Sequence, residues 1–190
     1  PLWSRGLGDV YKRQIKYSMK EKVMVLIDLN QVLISNLMQQ IGSNPKTKLD
    51  EGLIRHMVLN SLRSYSKQFR SKYGEIVIAC DSKKYWRRDI FPFYKAHRKK
   101  DREKSLFDWN LIFETLNKIR DELKENFPYR VIEVEGAEAD DIIAVLAARV
   151  SANEEVLILS SDKDFVQLQK YSNVSQYSPI LKRFIKSDDP

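Results

Sequence analysis

Seven carboxylates mark the places in this chain where chemistry could happen. Five lie between Arg130 and Phe165: Glu138, Asp140 and Asp141 in GAEADD, and Asp162 and Asp164 in SSDKDF. Asp28 in LIDLN and Asp81 in ACDSKK each follow a short apolar run. Singly, such acids are ordinary, because the free amides and dipole of a helix start welcome negative charge. As a cluster they are not. At an effective dielectric of ~20, two carboxylates ~5 Å apart repel by roughly 3 kcal/mol. A packed group of them therefore needs a cation.

The residues between these acids say what must hold them. Val23 to Ile27, Glu75 to Cys80, Val131 to Val134 and Val156 to Leu159 have the apolar, branched character of buried strands, and Val174 to Tyr177 adds a fifth. Helical spacing links Val32, Leu33, Leu37, Met38 and Ile41, a short helix stopped by Gly42. Asp50 caps a long helix carrying Leu53, Ile54, Met57, Val58, Leu62, Tyr65 and Phe69, which Gly74 ends. Another runs from about Leu106 to Phe127 and is closed by Pro128. After Gly136 breaks the third strand, Ile142, Ile143, Leu146, Ala147 and Val150 recur at helical spacing from Glu138 onward. This alternation predicts an α/β fold, a mainly parallel central sheet flanked by helices. Ligands of such sheets bind beyond the carboxyl ends of the strands. Four strands are followed there by acid, at Asp28, at Asp81, at the EADD group and at the DKD pair, and four such exits on one edge read as a metal site.

A second kind of chemistry lies between the second strand and the long helix that follows it. Residues 82–104 hold ten Lys or Arg against three acids, a surplus equal to the +7 of the whole chain. Lys83, Lys84, Arg87, Arg88, Lys95, Arg98, Lys99 and Lys100 alternate with Tyr85, Trp86, Phe91, Phe93 and Tyr94. Cationic groups neutralise phosphates, and flat rings stack on unpaired bases. The segment is expected to contact nucleic acid while offering few core residues.

Length and composition set the bounds. With 190 residues, 43% hydrophobic and 31% charged, the chain suits one compact domain. No apolar run approaches the ~20 residues of a membrane span, so no membrane partner is expected. The single cysteine, Cys80, cannot form an internal disulfide, which favours a cytoplasmic setting and a buried side chain. His56 falls on the polar side of its helix and carries no catalytic reading. Residues 1–14 show no period, and Met19 is the expected native start, leaving 1–18 as a leader that is non-native or disordered.

The order LIDLN, ACDSKKYWRRD, YKAHR, GAEADD and SSDKDF resembles the 5′-nuclease, or flap endonuclease, superfamily, with its T-even phage branch nearest in spacing. The resemblance covers about residues 20–186. It implies a PIN-like core with a basic helical arch over 82–104, two bound Mg²⁺ ions for which Mn²⁺ substitutes, and metal-dependent 5′-3′ hydrolysis of RNA primers or DNA flaps in replication. Asp28, Asp81, Glu138, Asp140, Asp141, Asp162 and Asp164 fall on the acidic positions. Asp81, Glu138 and Asp140 are expected near one ion, Asp162 and Asp164 near the other. Asp28 would act mostly through water on an ion, and Asp141 either directly or from behind a ligand. Lys95 and Arg98 match the basic pair that faces the scissile phosphate; with Asp28, Asp81 and Asp162 they form the expected catalytic set. Lys83, Lys84, Tyr85, Trp86, Arg87, Arg88, Tyr94, Lys95, Arg98, Lys99 and Lys100 form the expected nucleic-acid surface. The implied partners are DNA and RNA–DNA hybrids with a 5′ end or flap, and replication proteins such as a single-strand-binding protein, for a monomer in a phage-infected bacterial cell. Superfamily members continue into a helix–turn–helix that grips duplex DNA and supplies a further Asp pair. Asp188 and Asp189 lack that context, so 19–186 is expected to be the catalytic core and 187–190 the end of a fragment.

Two other readings compete. A haloacid-dehalogenase-like phosphatase would use Asp28 as nucleophile but needs an acid two residues on, where this chain has Asn30. A non-catalytic nucleic-acid-binding module would explain the basic segment and leave four acidic strand exits without a purpose.

Overall fold

The computed structural model describes residues 24–42, 49–105 and 107–187. The expectations for the leader, for Val23, Leu106, Asp188 and Asp189, and for the side chain of Lys99 lie outside what is described. Six strands form one sheet in the order β3-β2-β1-β4-β5-β6. They are β1 (Met24–Asp28), β2 (Glu75–Cys80), β3 (Arg130–Glu133), β4 (Val156–Leu159), β5 (Val174–Ser178) and β6 (Arg183–Ile185). All pairings are parallel except that of β5 with β6. The helices are α1 (Leu29–Gly42), α2 (Glu51–Tyr73), α3 (Trp86–Ile90), α4 (His97–Glu103), α5 (Trp109–Asn126) and α6 (Ala139–Val150), with a 3₁₀ helix at Lys163–Lys170.

The central strands are apolar throughout because both faces of the sheet are covered. Side chains alternate between the two faces. Val25, Ile27, Ile76, Ile78, Leu157 and Leu159 pack under α1, α2 and α5. Leu26, Val77, Ala79, Val156 and Ile158 pack under α6 and the 3₁₀ helix. β1 has β2 on one side and β4 on the other, so the carboxyl end of β1 sits where a doubly wound sheet opens a crevice.

Element ends follow local chemistry. Asp50 caps α2 by accepting from Leu53 N at 2.8 Å, and Gly74 ends it at φ 74°. Asp108 accepts from Leu111 N at 3.0 Å, which starts α5 at Trp109 rather than near Leu106. β3 lies one residue earlier than expected because the carbonyl of Val134 already accepts from Ala137 N in a turn. β6 was not anticipated. It is three residues long and returns through a turn in which Lys182 has φ 53°, a place where glycine would have signalled the reversal.

Candidate functional site

The acids meet because the loops after β2 and β3 are stitched together. Gly136, at φ 79°, donates its amide to Ser82 Oγ at 3.2 Å, and its carbonyl accepts from Trp86 N at 2.8 Å. Ser82 N donates to the carbonyl of Ala137 at 3.0 Å. A side chain at position 136 would strain this positive φ. The stitch sets residues 81–87 beside 136–141, more than fifty positions away.

Each acid then takes a defined place. Asp28, the last residue of β1, is buried, and its Oδ1 accepts from Gln31 N at 3.0 Å, capping α1. Asp81 Oδ1 accepts from Ala139 N at 2.8 Å, and its Oδ2 accepts from Asn30 Nδ2 at 3.0 Å. Glu138 is 2% exposed. Asp140 and Asp141 lie in the first turn of α6. Asp162 caps the 3₁₀ helix by accepting from Asp164 N at 3.0 Å, while Asp164 itself is exposed. Burial pushes the Asp28 carboxyl up to about 8, and the charges of Asp81, Asp140 and Asp162 add to it against the Gln31 amide. Asp140 is raised to about 6 by burial and by Asp162, Asp81 and Glu138, with Lys95 opposing. Five of the seven acids thus feel one another: Asp28, Asp81, Glu138, Asp140 and Asp162.

The basic segment closes over them. Arg87 donates from Nη1 to Glu138 Oε2 at 2.9 Å and to Asp141 Oδ2 at 2.8 Å, and from Nη2 to Asp141 Oδ1 at 2.7 Å. Tyr94 Oη donates to Glu138 Oε2 at 2.9 Å, and Lys95 Nζ to Glu138 Oε1 at 2.7 Å. Trp86 Nε1 reaches Asp141 Oδ2 at 3.2 Å, which also accepts from Glu138 N at 3.0 Å. The Arg87 guanidinium lies 4.6 Å from the Trp86 ring centre and 5.9 Å from that of Tyr94. Arg87 accordingly holds the Asp141 carboxyl below its usual range. Burial works against the Lys95 charge, but the bonds to Glu138 and Tyr94 outweigh it and hold the ammonium above the ordinary lysine value. Lys95 reaches Glu138 from a backbone at φ 55°, a conformation costing on the order of 1 kcal/mol for a residue with a side chain.

The expected nucleic-acid surface therefore divides. Lys83, Lys84, Arg88, Arg98 and Lys100 are exposed. Tyr85 is half-buried, and Trp86, Arg87, Tyr94 and Lys95 are turned onto acids. Among the described residues no three His, Cys, Asp or Glu side chains stand as a ready-made metal cage. What the acids offer is an all-oxygen donor set, partly buried and mutually repelling, which fits hard divalent ions in chemistry. The sequence reading missed the groups that fix these acids. Asn30 holds Asp81, and Gln176, fully buried, donates to the carbonyls of Ser160 at 2.9 Å and Asp162 at 2.7 Å. Gln31 Oε1 accepts from Ser160 Oγ at 3.3 Å. The available signal was a polar residue where an apolar run would otherwise continue, as at Gln176 inside β5.

A family model for the 5′-3′ exonuclease, N-terminal resolvase-like domain, matches residues 23–188. Ribonuclease H of Enterobacteria phage T4 is 42% identical over 165 residues, covering 85% of this chain and 53% of that protein. The 5′-3′ exonuclease of Buchnera aphidicola subsp. Schizaphis graminum is 30% identical over 151 residues, 78% of this chain and 49% of that protein. Among solved structures, a phage T5 flap endonuclease in a pseudo-enzyme–product complex with DNA and metal ions is similar with TM-score 0.66. Its 18% identity, over 86% of this chain and 57% of that one, makes that a likeness of fold. The chain spans about half the length of the curated relatives it matches. Among the described residues no helix is long and apolar enough to cross a membrane.

Proposed function

The chain belongs to the family of 5′-3′ exonuclease N-terminal, resolvase-like domains, and we propose that it carries the hydrolytic centre of a metal-dependent 5′-3′ nuclease. Its substrates are phosphodiesters of RNA primers or DNA flaps, presented as DNA or RNA–DNA hybrid with a 5′ end. One observation carries this reading. The cations of a basic segment converge on the buried Glu138 and the partly exposed Asp141 at the carboxyl edge of the sheet, with Lys95 Nζ 2.7 Å from Glu138.

Asp81, Glu138 and Asp140 would hold one divalent ion, Mg²⁺ or Mn²⁺, and Asp162 with Asp164 a second. Asp28, buried at the end of β1, would act mostly through water on an ion. When bound, such ions activate a water and stabilise the leaving oxygen of an in-line displacement. Asp141 is committed to Arg87, Trp86 and its own helix start, so we assign it to holding the arch rather than an ion. Lys95, released from Glu138, and Arg98 offset charge on the phosphoryl oxygens. Lys83, Lys84, Arg88, Lys99 and Lys100 neutralise flanking phosphates. A dehalogenase-type phosphatase is disfavoured because Asn30, standing where its second acid would be, donates to Asp81.

The test uses Asp81→Asn and Asp162→Asn in a protein extended by the C-terminal portion of a relative. Cleavage of a 5′-flap oligonucleotide in Mg²⁺ should be lost while binding is kept. Unchanged turnover in both variants would sink the proposal, and hydrolysis of a small phosphate ester alone would favour the phosphatase.

A further inference from the structure

β5 sends polar side chains into an apolar layer. Val174, Gln176 and Ser178 share one face of the strand, the face that packs under α6 and the 3₁₀ helix. Val174 belongs to that core, and Gln176 and Ser178 beside it are 0% exposed. Gln176 Nε2 donates to the carbonyl of Ser160 at 2.9 Å and to that of Asp162 at 2.7 Å. Its Oε1, equally buried, has no hydrogen-bond partner among the described residues. Burying an amide oxygen without a partner is destabilising, so a glutamine here calls for a reason other than stability.

The reason lies in what the amide holds. Ser160 and Asp162 bracket the turn from β4 into the 3₁₀ helix, and one nitrogen ties both of their carbonyls. The rest of the turn is tied elsewhere. Ser160 N donates to the carbonyl of Tyr177 at 3.2 Å, and the hydroxyls of Ser161 and Ser178 lie 2.7 Å apart. Gln31 Oε1 accepts from Ser160 Oγ at 3.3 Å and from Ser161 N at 3.4 Å. None of these bonds reaches the carbonyl of Asp162. Without Gln176 the turn would stay attached to the sheet and lose the tie at the residue that carries the carboxylate. We propose that Gln176 is the positioning residue of the second ion: its amide fixes the backbone of Asp162 and so sets how tightly Asp162 and Asp164 take a divalent ion. The inference rests on the reading of those two acids as ligands. It gives the sheet, rather than the arch, control over one half of the centre. Removing a group that orients a metal ligand commonly changes affinity by about 10–100-fold.

The experiment is calorimetric titration of the full metal-free chain with Mn²⁺, in which Asp162→Asn identifies the second binding step. Gln176→Met keeps length and apolar packing but has no donor. It should weaken the second step by about tenfold or more and leave the first unchanged. Gln176→Leu should do the same, which separates the lost donor from the packing of one particular side chain. Combined with Asp162→Asn, Gln176→Met should add nothing, because the ligand it orients is already gone. Ser178→Ala removes a different tie of the same turn from the same face of β5. It should lower the urea midpoint and leave both binding steps as in the native chain. A second step unchanged in both Gln176 variants, or weakened as much by Ser178→Ala, overturns the proposal while the ligand reading stands. Equal weakening of both steps in the Gln176 variants marks a general loss of structure and overturns it as well. Two steps that both survive Asp162→Asn, or a native chain with a single step, overturn the ligand reading and the proposal together.

Discussion

Replacing Arg87 by Ala should release the arch without unfolding the body of the domain. Three charge-assisted hydrogen bonds of 2.7–2.9 Å join Arg87 to Glu138 and Asp141. Hydrogen bonds to charged groups contribute ~1.5–3 kcal/mol each in favourable settings. Here one guanidinium makes all three, and about a quarter of both Arg87 and Asp141 side chains is exposed. Sharing and screening therefore reduce the set to ~2–4 kcal/mol. The loss should be local, because α3 buries no residue of its own and the contacts of 86–103 with the body are mainly these polar ones. Amide hydrogen exchange over 86–103 should accelerate by a factor of ~30–1,000, while β1, β2 and β4 stay protected. Arg87→Lys, which cannot chelate Asp141 with two nitrogens, should recover less than half of the protection. Combining Arg87→Ala with Asp141→Asn should cost less than the sum of the two, with a coupling of ~1–3 kcal/mol. Exchange over 86–103 that is unchanged in Arg87→Ala, or that rises equally in the central strands, would refute the argument.

Three further outcomes follow from the same contacts. Lys95→Ala removes a cation seated on Glu138, so calorimetric titration should show tighter Mn²⁺ or Mg²⁺ binding even as cleavage slows; weaker ion binding would contradict the placement of Glu138. Asp28 is raised to about 8 and Asp140 to about 6 when folded, whereas an unfolded aspartate titrates near ~4; the folded chain thus holds protons that the unfolded chain has released. The contribution of these two carboxyls to metal-free stability should be fully present below pH ~4 and be lost as pH rises towards 8, about 5 kcal/mol of it from Asp28, and Asp28→Asn should flatten that slope in urea melts. Cys80, buried with its thiol pushed up to about 12, should react with a disulfide reagent only as fast as the protein unfolds.

The fold was legible because its strongest signals are local. Strands buried on both faces must be apolar at every position, so Val156–Leu159 could not be mistaken for a surface element. Gly74 and Pro128 stop their helices by backbone geometry that any neighbourhood would respect. The acids were legible as a set because an acid after an apolar strand lands on a known edge of the sheet. Partner choice was not legible. Arg87 meets Glu138 and Asp141 across 51 and 54 positions, and no period spans that gap. A run of Lys and Arg looks the same whether its charges face water, phosphates or the chain's own acids. The sequence also could not separate Asp141 from Asp140. One residue apart on a helix means about 100° of rotation, which turns Asp141 towards Arg87 and leaves Asp140 among the other carboxylates.

That rotation bears on how the proposed centre works. Buried carboxylates at one edge are unfavourable without positive charge, and the chain supplies its own through Arg87 and Lys95. The two cations are not equivalent. Arg87 is held by both oxygens of Asp141 and lies against two rings, while Lys95 makes one ion pair and meets one ring, that of Tyr94, from a strained backbone. A divalent ion drawn to Glu138 would therefore displace Lys95 at lower cost than Arg87. The exchange would free an ammonium beside the acids while the arch stayed pinned to α6 through Asp141. A ligand shifts such an equilibrium only by its differential affinity for the two arrangements, and the contacts at stake are those that Glu138 makes with Lys95, Arg87 and Tyr94. In the proposed centre, ion occupancy and the presentation of Lys95 to a phosphate would be parts of one equilibrium, with Arg87 as its fixed point.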